Sequence, residues 1–483
     1  MIAALVLALA AAFGDDLKEL EAKLASSDAR ERRSAVQGLA KIGSTEAWKR
    51  VIGALDDPNA QVADEAQLAI AGIRDAKSFE LLAGKEGLGS RDEWVRVRVA
   101  EALGRMEALP DLEPLFGALS DSDGAVRRAA CWSVERLRGA GHYSEKAPAQ
   151  FAGLVRKDKD ARVRAAALIA WASFGEATAL AEACRAASTD ANFELRSASL
   201  LANTKLGDTG ASATALSHDA HVGVRLCAAE FFASQRTASS VRCLVDMLEA
   251  EKQLRARWRI VDELRELSGL AHRLDPRPWR DWAAKLADGP LPKVERAEPA
   301  DEDRTVAFVG LPILSERVCF LIDLSGSVWA RDKNGRTRKD AIDEELAKAL
   351  RSLPASVEFN LIPYTSTPIP WQDELQPAEP KNVQKALEFF TGRKDTGTGN
   401  FWDALQLALG DPKLDSVVVL TDGAPTGGHR WNLSLMTRLF EEENRLRRVV
   451  LDALLVGANE RLRKDWTAMC ATSGGRVIEV ELR

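Results

Sequence analysis

Two apolar segments of this sequence end in side chains that could bind a metal ion together. The segments are residues 318–322 and 417–420, and the side chains that follow them are Asp323, Ser325, Ser327 and Asp422. Hard divalent cations prefer carboxylate and hydroxyl oxygens, so this set suits Mg²⁺, Mn²⁺ or Ca²⁺. Two carboxylates and two hydroxyls fill only part of such an ion's coordination shell, which leaves a position open to solvent. We expect an Asp or Glu carboxylate of a protein partner to take that position.

These side chains can meet only if the two segments are neighbouring strands of one sheet. Both segments are short apolar runs, as expected for buried strands of a parallel sheet. Open α/β sheets hold their ligands at the carboxyl ends of the strands. A simpler alternative is that Asp323 caps the following helix while the serines satisfy turn backbone, but it leaves the second strand ending in aspartate unexplained. A phosphoryl-transfer role for Asp323 would need a second acid two residues later, where the sequence has Ser325.

Helix and strand patterns alternate through the rest of residues 305–483. The helices are expected at 338–353, 381–390, 401–409, 432–447 and 460–471, and the further strands at 357–364, 449–456 and 476–482. This alternation predicts a doubly wound α/β domain with a mostly parallel sheet and helices on both faces.

The C-terminal region resembles the von Willebrand factor A-type domain with its metal-ion-dependent adhesion site. The resemblance rests on the Asp-x-Ser-x-Ser segment at 323–327, on Thr-Asp-Gly at 421–423 and on the helix–strand alternation. In that family both aspartates reach the ion directly or through water, both serines coordinate it, and a threonine of a middle loop contributes as well. The resemblance implies a Mg²⁺ site, or a Mn²⁺ or Ca²⁺ site, formed by Asp323, Ser325, Ser327 and Asp422.

The middle loop departs from the family's pattern. When the sequences are aligned on the Ala-Leu pair that follows, the family's threonine falls on Gly399, and Thr398 lies one residue earlier. A shift of the loop would deliver Thr398 to the ion, and the flanking glycines make such a shift conformationally accessible. Otherwise water or Asn400 fills the position. We take Thr398 as the fifth metal ligand.

Residues 16–287 are helical and repetitive. The pattern Asp-x-x-Val-Arg begins at Asp92, Asp123 and Asp160, and looser copies begin at Asp28, Asp57, Asp190 and Asp219, with 29 to 37 residues between successive starts. We expect each aspartate to cap a helix and each valine to begin an apolar stripe. Helix pairs of this period cannot bury their apolar faces alone, which predicts an all-α solenoid. The Asp-x-x-Val-Arg helices resemble HEAT repeats.

The helical array is expected to end in a tryptophan-rich region. Trp258, Trp279 and Trp282 would cover the last apolar face of the stack, which every open-ended array has to cover. Residues 288–304 are polar and charged and contain prolines, so they form a linker. The predicted order is therefore a signal peptide at 1–14, the solenoid at 16–287, the linker at 288–304 and the α/β domain at 305–483.

Residues 1–14 are apolar and too short to cross a bilayer as a helix. They suit the hydrophobic core of a secretory signal peptide, although no Lys or Arg precedes it. We expect secretion, or export to the periplasm or cell envelope; the alternative is a cytoplasmic protein whose first helix packs on the first repeat. The net charge of −6 over 483 residues does not favour nucleic-acid binding. No membrane span is expected.

We predict a non-enzymatic interaction scaffold. Its α/β domain would capture a partner carboxylate through the metal ion, and its helical repeats would hold a second protein partner. Two alternatives remain open. One is a metal-dependent enzyme or a subunit of a larger catalytic complex, with Asp403 and His429 as candidate general bases; the other is a structural solenoid with a vestigial metal site. The sequence contains no Walker A loop, His-Glu-x-x-His or Gly-x-Ser-x-Gly motif.

Overall fold

The computed structural model describes residues 16–107, 111–175, 177–207, 211–295, 307–308, 311–312, 315–331 and 335–480. The expected signal peptide and residues 296–304 of the expected linker lie outside this part of the chain. Packing divides the chain into two compact units. One comprises Met1–Ala183 together with Arg430–Asn432, and the other comprises Cys184–His429 and Leu433–Arg483.

The described part of residues 16–287 is built from helices. In chain order they are α1 (16–24), α2 (Ala29–Ile42), α3 (Thr45–Gly53), α4 (Ala60–Ile70), α5 (Ala76–Ala83), α6 (Glu93–Leu103), α7 (Glu113–Ala118), α8 (Gly124–Gly139), α9 (Ala147–Lys157), α10 (Ala161–Ala172), α11 (Ala177–Ala187), α12 (Phe193–Leu206), α13 (Ala211–Leu216), α14 (Val222–Gln235), α15 (Ala238–Ala250), α16 (Leu254–Ser268) and α17 (Pro276–Ala284). The predicted all-α architecture of this region is confirmed.

Four of the motif aspartates cap helices as expected, because their side chains accept hydrogen bonds from backbone N–H groups of the first turn. They are Asp28, Asp92, Asp123 and Asp160. The expectation is wrong for Asp57, Asp190 and Asp219, whose helices are capped by Asn59, Asn192 and His221. Each of these three aspartates lies two residues before the cap and accepts the cap residue's own N–H at 2.8 Å. These three aspartates therefore order the turn that precedes the helix and do not cap the helix itself.

Arginines in the first turn of the repeat helices link successive repeats. In the first unit, Arg32 places its guanidinium against both oxygens of Asp57, at 2.7 and 2.9 Å. In the second unit, Arg196 contacts Asp219 in the same way, at 2.6 and 2.9 Å. Two parallel N–H···O bonds fix both distance and orientation. Each of these first-turn arginines therefore sets the register between one helix pair and the next.

The tryptophans at the end of the helical array are core residues. Trp279 is fully buried and Trp258 is 6% exposed, and both belong to the hydrophobic core formed mainly by helices α14 to α17. Trp282 packs against the same core. This packing agrees with the covering role predicted from the sequence.

The strands of the C-terminal region are β1 (Ala307–Phe308), β2 (Leu311–Pro312), β3 (Arg317–Asp323), β4 (Glu358–Tyr364), β5 (Gln376–Pro377), β6 (Ser416–Thr421), β7 (Val450–Val456) and β8 (Val477–Val480). Strands β1 and β2 form a separate pair, and the other six form one sheet in the order β5-β4-β3-β6-β7-β8. Only the pairing of β4 with β5 is antiparallel among the neighbours in this sheet. The helices are α18 (Arg338–Ser352), α19 (Pro380–Thr391), α20 (Phe401–Ala408), α21 (Leu433–Asn444) and α22 (Glu460–Ala471). The predicted doubly wound, mostly parallel sheet is confirmed.

Both faces of the sheet are covered by helices. Cys319 and Leu321 of β3 lie in a core with residues of α20, α21 and α22, whereas Phe320 and Ile322 lie in a core with residues of α18 and α19. Alternate residues of a strand point to opposite faces, so β3 is buried on both sides. A central strand held in this way gives the side chains at its carboxyl end a fixed position.

Candidate metal site

Asp323 and Asp422 lie side by side at the carboxyl ends of two adjacent parallel strands. Asp323 is the last residue of β3, and Asp422 directly follows β6; the two strands pair through Ile322 and Leu420. Asp323 is 2% exposed and Asp422 is 6% exposed. Two carboxylates are thus buried at the carboxyl ends of β3 and β6, where the sequence predicted them.

The two serines join the carboxylates in one hydrogen-bonded group. The hydroxyls of Ser325 and Ser327 are 3.1 Å apart, and Ser327 Oγ donates to Asp422 Oδ1 at 2.8 Å. Asp323 accepts the N–H of Ser325 at 2.8 Å and the hydroxyl of Thr421 at 2.7 Å. Ser327 lies in a 3₁₀ turn at Gly326–Trp329, which directly follows Ser325. A helix cap at Asp323 does not account for the bond that ties Ser327 to the second strand.

The chemistry of this group fits a hard divalent cation. Burial raises the pKa of Asp323 to about 6; hydrogen bonds from Thr421 and Ser325 oppose this shift, and the neighbouring Asp422 adds to it. An ionised carboxylate here is therefore costly without a nearby positive charge, which a bound cation would supply. Carboxylate and hydroxyl oxygens are the ligand types that Mg²⁺ and Mn²⁺ prefer. Asp323, Ser325, Ser327 and Asp422 are the residues that would hold the ion.

Arg338 belongs to the same group, although the sequence did not single it out. It is the first residue of α18, and its Nη1 donates to Asp422 Oδ2 at 2.8 Å. Its side chain is 32% exposed, so the ion pair has one face toward solvent. A basic residue in the first turn of a helix opposes the helix dipole. That unfavourable position is the one feature of the sequence that could have drawn attention to Arg338.

Thr398 is exposed on the middle loop, and its hydroxyl donates to Ser366 Oγ at 3.2 Å. A Cβ atom placed on Gly399 would instead lie 3.6 Å from Ser325 Cβ and 3.5 Å from Thr426 Oγ1. Thr426 Oγ1 also accepts the N–H of Gly399 at 2.7 Å. The position that the family fills with threonine therefore faces the serines here but carries no side chain. Thr398 as a metal ligand stays a prediction.

Asp403 and His429, the candidate general bases, form a pair. His429 Nδ1 lies 2.9 Å from each Asp403 oxygen, and Asn400 Nδ2 donates to Asp403 at 2.8 Å. Burial favours a higher pKa for Asp403, but the hydrogen bonds from His429 and Asn400 outweigh it and hold the pKa below its usual value. The pair is therefore a carboxylate that orients an imidazole, next to the loop that carries Thr398.

No cluster of three or more His, Cys, Asp or Glu side chains suited to a metal ion occurs in the described part of the chain. The group at Asp323 has only two such residues and completes its oxygens with serines. In the same part of the chain, no helix combines the length and apolar character needed to cross a membrane.

Comparison with known families agrees with both predicted resemblances. Residues 85–172 match HEAT repeats, and residues 316–460 match the von Willebrand factor type A domain. The second range contains Asp323, Ser325, Ser327 and Asp422. HEAT-like and von Willebrand factor A-like regions are therefore confirmed for these residues.

Similar proteins align with about a quarter of the chain. Inter-alpha-trypsin inhibitor heavy chain H4 of Homo sapiens is 34% identical over 131 residues, which are 25% of this chain and 13% of the human protein. Heavy chain H3 of Bos taurus is 33% identical over 126 residues, 24% of this chain and 14% of that protein. The chain thus spans only a small part of these relatives. Among solved structures, the SpRpn10 VWA domain has 16% identity and a TM-score of 0.28, covering 35% of this chain and 89% of that one.

Proposed function

We propose that this protein is a non-enzymatic interaction scaffold that captures a partner's carboxylate through a divalent cation. The observation that carries the proposal is the hydrogen-bonded group at the ends of β3 and β6, in which Ser325, Ser327 and Asp422 are linked within 3.1 Å and Asp323 lies alongside. Mg²⁺ is the proposed ion, with Mn²⁺ or Ca²⁺ as substitutes. A bound cation would supply an electrophilic position that accepts an anionic oxygen.

The charges around the group support an acidic partner. Asp323 and Asp422 together carry two negative charges, which balance a divalent ion in number. Arg338, however, already engages one oxygen of Asp422. The loaded site would therefore keep a net positive field, which favours an Asp or Glu side chain over water as the remaining ligand.

The helical repeats are proposed as a second protein-binding surface. The match of residues 85–172 to HEAT repeats supports this assignment. Stacked helices need no metal to form their surface, so partners of this region should be insensitive to chelators. Secretion or export is also proposed. Its support is the apolar character of residues 1–14.

A pull-down of partners with the full chain tests the proposal. It should be performed in Mg²⁺, in EDTA, and in EDTA followed by excess Mg²⁺, with Asp422→Ala as the variant. We expect one class of partner to be lost in EDTA, recovered with Mg²⁺ and absent with the variant, while a second class is retained throughout. If every partner persists in EDTA, metal bridging is wrong and the repeats alone carry the function.

Replacing Arg338 by glutamine should raise the affinity for Mg²⁺. The change removes a positive charge that competes with the ion for Asp422 and keeps the side chain's length and polarity. Because the ion pair is partly exposed, we expect a two- to fivefold effect, about what such a pair contributes. Calorimetric titration of both proteins with Mg²⁺ measures it. Unchanged or weaker binding would mean that Arg338 supports the site instead of competing.

Thr398→Ala tests the fifth ligand. If the loop shifts on metal binding, loss of the hydroxyl should weaken Mg²⁺ binding several-fold, roughly the contribution of one neutral oxygen ligand. Thr426→Ala is the matched comparison, because Thr426 Oγ1 contacts Gly399 directly. An unchanged affinity for Thr398→Ala would reject Thr398, and a loss confined to Thr426→Ala would assign the position to Thr426.

Catalysis is the rival proposal, and the Asp403–His429 pair is the observation that favours it. A carboxylate that holds an imidazole is a common arrangement for a general base. His429→Ala distinguishes the two functions, since it should leave metal-dependent partner capture intact. Loss of a hydrolytic activity in this variant, with capture retained, would favour the enzymatic function.

A further inference from the structure

The first compact unit contains a pocket that holds a short segment from far along the chain. The segment is Arg430–Asn432, which belongs to the unit formed by Met1–Ala183. The pocket is built by side chains of α2, α4 and α6. Arg430 is 1% exposed, so its guanidinium is fully enclosed there.

The guanidinium of Arg430 is bound by a fork of oxygens. Its Nη2 lies 3.0 and 2.9 Å from the two oxygens of Glu101, and its Nη1 donates to Gln67 Oε1. The ring of Trp94 lies 5.7 Å from the guanidinium carbon. Two guanidinium nitrogens thus meet two different acceptors, Nη2 the carboxylate of Glu101 and Nη1 the amide oxygen of Gln67. This arrangement beside an aromatic ring favours arginine over lysine, whose single ammonium nitrogen cannot match the planar fork.

The same pocket binds the backbone of the next two residues. Asp64 Oδ2 accepts the N–H of Trp431 at 2.6 Å and the N–H of Asn432 at 2.8 Å. Asp64 is completely buried. Arg33 of α2 covers the Trp431 ring, with its guanidinium carbon 5.0 Å from the ring centroid. These contacts require an arginine, favour an aromatic residue after it, and require an N–H at both following positions.

The acceptors are oriented by bonds among themselves. Gln67 Nε2 donates to Glu101 Oε2 at 2.6 Å, which turns Gln67 Oε1 toward arginine donors. Arg98 Nη1 donates to Asp64 Oδ1 at 2.6 Å and to Gln67 Oε1 at 3.0 Å, leaving Asp64 Oδ2 for the peptide. The receptor side of the pocket is thus held in place by α4 and α6 without help from the segment that occupies it.

Buried ionic networks add little stability compared with apolar packing, but they can fix the geometry of a contact. We propose that this pocket is a peptide-recognition site for the sequence Arg-aromatic-X, with no proline at either position after the arginine. Arg430–Asn432 occupies it within the chain, and an arginine-bearing segment of a protein partner binds by taking its place. The partner defined in this way would bind the helical repeats. Its binding would not depend on the metal site.

Peptide complementation of the full chain tests this proposal. The probe is a fluorescein-labelled peptide with the sequence of residues 427–434, Gly-Gly-His-Arg-Trp-Asn-Leu-Ser, and the readout is fluorescence polarisation. Arg430→Ala should bind the peptide saturably, and the wild-type chain should bind it at least about tenfold more weakly because its pocket is filled. Peptides with alanine for arginine, or with proline for asparagine, should each lose at least about tenfold in affinity for the variant.

Two further variants keep the experiment decisive. Adding Glu101→Gln to Arg430→Ala should abolish peptide binding, because the carboxylate that binds arginine is lost. Arg430→Gln retains hydrogen-bond donors and replaces Arg430→Ala if that variant does not fold. A folded variant that ignores the peptide, or binds the alanine peptide equally well, overturns the proposal. If neither variant folds, the segment is an obligatory part of the unit and the proposal is also wrong.

Discussion

Replacing Asp323 by alanine is expected to abolish Mg²⁺ and Mn²⁺ binding by this protein. The change removes one of the two carboxylates available to the ion, and with it half of the negative charge that neutralises it. The variant should stay folded, because burial raises the pKa of Asp323 and its ionised form adds no stability without a cation. Calorimetric titration should show one binding event for the wild-type chain and none for the variant.

Asp373→Ala is the matched control. Asp373 is exposed in the same domain, on the segment between β4 and β5, so its loss removes the same charge without touching the site. The control should bind Mg²⁺ as the wild-type chain does. An Asp323→Ala protein with unchanged affinity would remove the basis for placing a metal ion at the ends of β3 and β6.

Arg430→Ala should lower the free energy of unfolding of the first compact unit by about 3–5 kcal/mol, the cost of removing one partner from a buried ion pair. The loss leaves Glu101 and Gln67 enclosed without the guanidinium that they contact. Urea denaturation followed by circular dichroism measures the change. The 427–434 peptide added in excess should recover part of it, because a ligand stabilises the state that binds it.

Arg461→Ala serves as the comparison for this second variant. Arg461 is an exposed residue of α22, and a surface substitution of this kind is expected to change stability by less than about 0.5 kcal/mol. Equal effects of the two substitutions would show that the Arg430 network contributes nothing specific.

Local patterns in the sequence were sufficient for the elements that position the metal site. The apolar runs at 318–322 and 417–420 predicted β3 and β6, which end at Asp323 and Thr421 in the structure. The helix predicted at 460–471 has the same bounds in the structure. These elements could be predicted because a buried strand needs an unbroken apolar run and a helix needs a periodic apolar face. The aspartate caps at Asp92, Asp123 and Asp160 follow from equally local chemistry.

The parts that escaped prediction depend on contacts between distant residues. Arg338 contacts Asp422 across 84 positions of sequence, and nothing in the pattern of α18 indicates which residue its arginine meets. Arg430 contacts Glu101 across 329 positions, and in the sequence it is one basic residue in a loop. The capping error at Asp57 arose because Asp57 and Asn59 can both begin a helix, and the arginine of the preceding helix pair binds Asp57.

Carboxylate binding to the metal-loaded protein tests the central claim most directly. The full chain loaded with Mn²⁺ should enhance the relaxation of water protons, because water exchanges at the open coordination position. Titration with acetate should reduce the enhancement saturably, and Asp422→Ala should show neither effect. An enhancement that acetate leaves unchanged in a protein that binds Mn²⁺ would contradict the account, because the ion would then have no position for a partner's carboxylate.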